Sequence, residues 1–155
     1  MSITTTTHLN LPGTARQALD LYASVFGGTV TAATYADLGM PADEPGAQKI
    51  VFGQVESPDG FRVMAYDVPG QDAADGSTVA GATRRENGLT LTDRTFFQSV
   101  RGESLADVEP IWAGLAEGAT IVEPLAASAW SPGFGMLTDR FGVTWVIDVQ
   151  AAYGG

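Results

Sequence analysis

His8 is the only histidine in the 155 residues, so any imidazole chemistry near neutral pH passes through it. It stands two residues before Asn10 in a Thr-rich run, and alternate residues of an extended chain share a face. Two readings of His8 stay open. It lines a binding groove as a hydrogen-bonding group or general base, or it is a half-buried strand histidine with a satisfied hydrogen bond and no chemical role. Asp67 and Asp148 approach the same groove from later strands and read as rim residues, because an unpaired buried carboxylate costs several kcal/mol. The chain has no cysteine, which removes disulfides, thiolate nucleophiles and thiolate metal sites together and fits a cytoplasmic protein. There is no glycine-rich phosphate or dinucleotide loop, and one histidine does not assemble a triad.

These residues need elements to position them, and the chain supplies a repeated set. Thr4 to Leu11 reads as a strand, ended by Pro12-Gly13. Thr14 and Gln17 have the spacing of a capping box, and Ala15, Ala18, Leu19, Tyr22, Val25 and Phe26 form one apolar helix face that stops at Gly27-Gly28. Strands follow at Thr29 to Tyr35, Lys49 to Val55 and Phe61 to Val68, with a turn at Pro58-Asp59-Gly60. The second half repeats the order: a strand from Thr95 to Val100, a helix bearing Val108, Ile111, Trp112 and Leu115, then strands at Thr120 to Leu125, Phe134 to Thr138 and Val143 to Val149. Ser104 and Asp107 both suit the helix cap. A start at Asp107 is preferred, because it leaves Pro110 in the first turn, where no N–H is required.

The expected fold is α+β, with two tandem βαβββ modules forming a curved mixed-sheet cup and helices on its outer face. The expected single domain has module 1 at about 3–69, a linker at about 70–93 and module 2 at about 94–150. Within the linker, Gly70 to Asn87 is rich in Gly, Ala, Asp, Ser and Thr and reads as an irregular surface segment. Leu38 to Gln48 reads as an inserted loop, a passive excursion in preference to a lid.

Composition narrows the partners. Apolar residues at 45% against 17% charged describe a globular chain, and its apolar runs are too short to span a membrane. The start, Met1-Ser2-Ile3 before four threonines, has no signal-peptide pattern. A formal net charge of −10 repels phosphate backbones and anionic lipid, so neither nucleic acid nor membrane is expected.

The segments His8-Leu9-Asn10-Leu11-Pro12-Gly13, Ala18 to Tyr22 running into Val25-Phe26-Gly27-Gly28, and Trp130 to Gly135 leading into Leu137 to Trp145 resemble the vicinal-oxygen-chelate superfamily. That superfamily includes glyoxalase I, extradiol dioxygenases, fosfomycin-resistance enzymes and bleomycin-binding proteins, and the likeness is to its PhnB-like branch. The resemblance spans nearly the whole chain and implies the cup-shaped fold. It leaves function open, because isomerases, dioxygenases, transferases and sequestering proteins share the scaffold.

The resemblance also implies where a metal would sit, on one inward position of the first and last strand of each half. Bulky Trp145 and Ile147 are expected to face the helix, which leaves Thr144, Val146 and Asp148 inward. Matching Asp67-Val68 to Asp148-Val149 makes Ala65 the partner of Val146. On the first strands Thr6, His8 and Asn10 look inward, and matching Leu11 to Val100 gives Thr95, Phe97 and Ser99. The four ligand positions then read Thr6 (or His8, one step away), Thr95, Ala65 and Val146, which is no donor set for a divalent cation. No metal or other cofactor is expected. Phe97, Trp130 and Phe134 join the candidate ligand-binding residues as flat apolar rings, while Tyr22, Phe26, Trp112 and Trp145 read as core. The expected function is metal-free binding of an apolar or aromatic small molecule in the cup, by a homodimer. The alternative is an enzyme of the superfamily, either metal-dependent or metal-free with His8 as base.

Overall fold

Pro12 and Gly13 end the first strand early, and Gly13 takes a positive φ of 91° that turns the chain toward a helix. The structure is a computed structural model that describes residues 1–72, 83–129 and 131–151. The chain divides into two units, Met1–Gly76 and Ser77–Gly155. The expected Trp130 site residue lies outside the described residues.

In the first unit, β1 (Thr7–Leu11) leads to α1 (Ala15–Phe26), then β2 (Thr29–Thr34), β3 (Ile50–Glu56) and β4 (Arg62–Asp67). The sheet order is β1-β4-β3-β2, with β1 parallel to β4 and the other pairs antiparallel. Ala15, Ala18, Leu19 and Tyr22 are buried at helical spacing, so α1 lies along one face of the sheet. Gly27 ends the helix in the left-handed conformation, as its place after Phe26 predicts.

The N-terminus of α1 departs from expectation. Thr14 is the N-cap, but its side chain makes no capping bond. Asp67, at the end of β4, takes that role: its Oδ1 accepts from Ala15 N at 2.9 Å and its Oδ2 from Ile50 N at 2.8 Å. A carboxylate held by a whole strand satisfies the orphan N–H better than a mobile threonine hydroxyl. Asp67 is therefore a buried structural residue and not a rim residue.

Helix and sheet approach closely at Gly53. A Cβ there would fall on Leu19 Cδ1 and lie 2.9 Å from the carbonyl oxygen of Ala65. Gly53→Ala is expected to cost about 1–3 kcal/mol through overpacking, read as a lower urea midpoint with an unchanged slope.

The first described element of the second unit is a hairpin, β5 (Thr83–Glu86) and β6 (Leu89–Thr92), inside the expected linker at about 70–93 and partly inside the stretch read as irregular. Its turn is Asn87-Gly88, with φ of 52° and 78°, a pair suited to two-residue hairpin turns. The composition of the preceding residues obscures this signal. Then come β7 (Gln98–Gly102), α2 (Leu105–Ala116), β8 (Thr120–Ala126), β9 (Phe134–Thr138) and β10 (Thr144–Val149). The order β7-β10-β9-β8, with β7 parallel to β10, repeats that of the first unit. The fold is thus mixed α+β, a βαβββ unit twice over.

Helix α2 starts earlier than the proline suggests. Ser104 is the N-cap of a full capping box: its hydroxyl accepts from Asp107 N at 3.3 Å while Asp107 Oδ2 accepts from Ser104 N at 3.0 Å. Pro110 therefore lies inside the helix and past its first turn, where it withholds one backbone N–H. After β9, Asp139 organises the turn to β10. Its Oδ1 accepts from Phe141 N at 2.8 Å and Val143 N at 3.1 Å, and its Oδ2 from Trp145 Nε1 at 2.9 Å. Among the described residues no helix is long and apolar enough to cross a membrane.

Candidate functional site

Each sheet has one face under its helix and one face free of it, and strand register decides which side chains reach the free face. In the first unit, one rung across the helix-free face reads His8, Met64, Gln54 and Thr31. The next carries Asn10 opposite Tyr66, and Phe52 opposite Ala33. His8 and Asn10 therefore share a face, as alternation predicts, and Asn10 Oδ1 lies 3.2 Å from His8 Nδ1. The His8 ring also meets the edge of Tyr66, with centroids 5.2 Å apart. Thr6 precedes β1 and is half-buried.

Ala65 is not on this face. It pairs with Leu9, and both are buried on the helix side. The expected match of Asp67 to Asp148 is one residue out, because Asp67 faces the helix to cap it. A slip of one residue exchanges the two faces of a strand, so Met64 and Tyr66 take the place given to Ala65.

In the second unit, the corresponding rung is Ser99, Val146, Met136 and Glu123, and the next is Arg101, Asp148, Phe134 and Ala126. Ser99, Val146 and Phe134 thus occupy the helix-free face as expected. Thr95 and Phe97 do not belong to the strand: β7 begins at Gln98, opposite Trp145, and Thr95 is exposed while Phe97 is half-buried. The ladder extends only as far as its partner β10, so a β-rich sequence before Gln98 gains no pairing. Arg101 holds Asp148 in a two-pronged pair, Nε to Oδ1 at 3.0 Å and Nη2 to Oδ2 at 2.8 Å.

The hairpin meets this face, a feature no pattern in the sequence discloses. Arg85 places its guanidinium carbon 5.2 Å from the centre of the Phe134 ring, and Thr90 Oγ1 lies 3.7 Å from Met136 Sδ. Arg85 Nη1 donates to Thr90 Oγ1 at 2.8 Å. Phe134 is thereby covered by a cation, not left bare.

Of the matched positions on the first and last strands, only His8 offers a strong donor for a divalent cation. The first and last strands present an imidazole and a thioether in one unit, His8 and Met64, and a hydroxyl and an isopropyl group in the other, Ser99 and Val146. Asp148 has both oxygens engaged by Arg101. Among the described residues, no group of three or more His, Cys, Asp or Glu is placed to hold a metal ion.

On the helix side of the first unit, a cleft of about 480 Å³ is lined by residues including Arg16, Gln17 and Asp20 of α1 and Glu44, Gly46, Ala47, Gln48 and Lys49 of the loop before β3. The loop expected as an insertion at Leu38 to Gln48 thus borders the start of α1, with Ala47 buried. Tyr35, just after β2, donates to the Asp67 carbonyl oxygen at 2.7 Å. Burial, and then Tyr66 and Asp67, raise its phenol above the ordinary value against a smaller opposing effect of Lys49, so it stays a donor at neutral pH.

Comparison with known proteins agrees with this architecture. The family model for the glyoxalase/bleomycin resistance protein/dioxygenase superfamily matches residues 9–147. Protein PA1353 from Pseudomonas aeruginosa is 27% identical with a TM-score of 0.71, over 96% of this chain and 98% of that one. The PhnB protein from Bacillus cereus is 19% identical with a TM-score of 0.70, over 96% of this chain and 100% of that one. A glyoxalase/bleomycin resistance protein/dioxygenase from Nocardioides is 20% identical with a TM-score of 0.50, over 99% of this chain and 88% of that one. No curated protein matches the chain.

Proposed function

The chain belongs to the glyoxalase/bleomycin resistance protein/dioxygenase superfamily, and on that premise we propose that it binds an apolar or aromatic small molecule without a metal. The supporting observation is the make-up of the helix-free faces. Phe52, Met64 and Tyr66 in one unit share their face with His8, Asn10, Thr31 and Gln54, and Phe134 and Val146, beside the buried Met136, share theirs with Ser99, Arg101, Glu123 and Asp148. Aromatic rings and adaptable thioethers interspersed with polar anchors suit a largely apolar ligand. The open sheet edges support a homodimer, which light scattering giving a monomer mass at micromolar concentration would overturn. The absence of cysteine supports a cytoplasmic location.

Methionine methyl NMR tests the binding reading. Of the four methionines, Met64 and Met136 are on helix-free faces and Met1 and Met40 are not. Titration with indole is expected to shift the Met64 methyl saturably and leave Met1 and Met40 in place. Uniform small shifts at all four, or none, would sink the reading. Metal analysis of protein purified without chelator is expected to find far less than one divalent ion per chain.

One observation favours turnover as a second reading. The Asn10 carbonyl beside Nδ1 orients the His8 ring with Nε2 pointing away, available to accept a proton. Under that reading His8→Ala abolishes turnover and leaves ligand affinity nearly intact. Under the binding reading it weakens affinity alone.

A further inference from the structure

The two guanidinium groups on the helix-free face of the second unit are in different states. Arg101 has a carboxylate across its Nε and Nη2. Arg85 has only Thr90 on Nη1, and its buried Nε has no hydrogen-bond partner. Glu123 Oε2 lies 3.7 Å from that Nε, near enough for charge attraction and too far for a hydrogen bond. The Arg85 side chain keeps 20% of its surface exposed. A buried N–H of a cation left without an acceptor keeps the cost of its lost hydration, so such a group calls for an explanation. Fixing the hairpin on the sheet explains the stacking over Phe134 but leaves the Nε unsatisfied.

We propose that Arg85 recognises the carboxylate of the ligand, which makes the ligand an aromatic or apolar carboxylic acid with its ring against the helix-free face of the second unit. This rests on the binding function proposed above and narrows it to a ligand class. The planar fork of a guanidinium fits the two oxygens of a carboxylate, as Arg101 and Asp148 show one strand away from Phe134. Glu123 is then a weak internal competitor that occupies the neighbourhood of Nε without bonding it. Its replacement by glutamine removes that competition. The chain carries eighteen acidic residues against eight basic ones, so a general attraction for anions is absent and recognition has to be local.

The test uses the full chain with phenylacetate and its neutral isostere phenylacetamide, observed at the arginine Nε–H resonances, with the Arg85 signal assigned by its loss in Arg85→Lys. Phenylacetate is expected to shift that signal saturably and to bind at least about tenfold more tightly than phenylacetamide. Arg85→Gln is expected to erase the preference, and Glu123→Gln to tighten phenylacetate about threefold. Equal affinity for the acid and the amide would overturn the proposal. So would weaker phenylacetate binding in Glu123→Gln, which would make Glu123 a support for Arg85 and not a competitor. Phenyl phosphate binding more tightly than phenylacetate would overturn the assignment to a carboxylate. The indole shift at Met64 separates the two levels. If it persists while the acid and amide bind alike, only the carboxylate assignment falls; if it is absent too, the binding function falls with it.

Discussion

Asp139→Ala is expected to lower the unfolding free energy by about 3–6 kcal/mol, a large share of the roughly 5–15 kcal/mol typical of a folded domain. The carboxylate accepts from two backbone N–H groups and from the indole of Trp145, and both Asp139 and Trp145 are buried. Alanine removes the carboxylate from all three donors at once, the buried indole N–H and the two part-buried backbone N–H groups. Each buried orphan costs about 1–3 kcal/mol, and partial relaxation makes the sum less than additive. Asp139→Asn keeps one acceptor oxygen but turns an N–H₂ toward the remaining donors, so its loss is intermediate. Urea denaturation followed by circular dichroism measures both. Asp93→Ala, at an exposed site, serves as the control and is expected to change stability by no more than about 0.5 kcal/mol. A loss below about 1 kcal/mol in Asp139→Ala would show that the turn is held by its backbone alone.

The second large effect is at Asp67, where alanine is expected to cost about 2–4 kcal/mol. Two backbone donors from separate elements, Ala15 N at the start of α1 and Ile50 N at the start of β3, converge on this one side chain. Hydrogen exchange at both amides is expected to accelerate together, since one acceptor serves both. The companion variant is Thr14→Ala. An N-cap threonine replaced by alanine ordinarily costs about 1 kcal/mol, but here the hydroxyl makes no cap bond, so the expected change is close to zero. A full capping penalty at Thr14, with little effect at Asp67, would reverse the assignment of the cap.

These two aspartates also mark what the sequence discloses and what it withholds. Helical spacing in Ala15 to Tyr22 and alternation in Trp145 and Ile147 make the helix-covered faces legible, because burial on one side imposes a period. Matching the first strands of the two halves by pattern incurs a slip of two residues, since His8 and Ser99 hold equivalent rungs. That slip is harmless, because it preserves the face. Matching the last strands incurs a slip of one and exchanges Ala65 for Met64. The cause is Asp67, a charged residue at a helix-facing position, whose partners Ala15 and Ile50 are distant in sequence and leave no local trace. The hairpin is legible in Asn87-Gly88 and its flanking threonines, but its seat over Phe134 is not. Contacts such as Arg85 on Phe134 are set by tertiary placement alone.

The glycines beneath the helices have a consequence for how this protein can change. Gly53 lies under Leu19, and Gly135 has the same place under Trp112, each on the third strand of its sheet. Where only a hydrogen separates helix from strand, one side of each layer has no slack to accommodate new atoms. Innovation is left to the other side, where a side chain can be exchanged without moving the scaffold. A duplicated unit of this kind can acquire new ligands while its stability stays nearly constant.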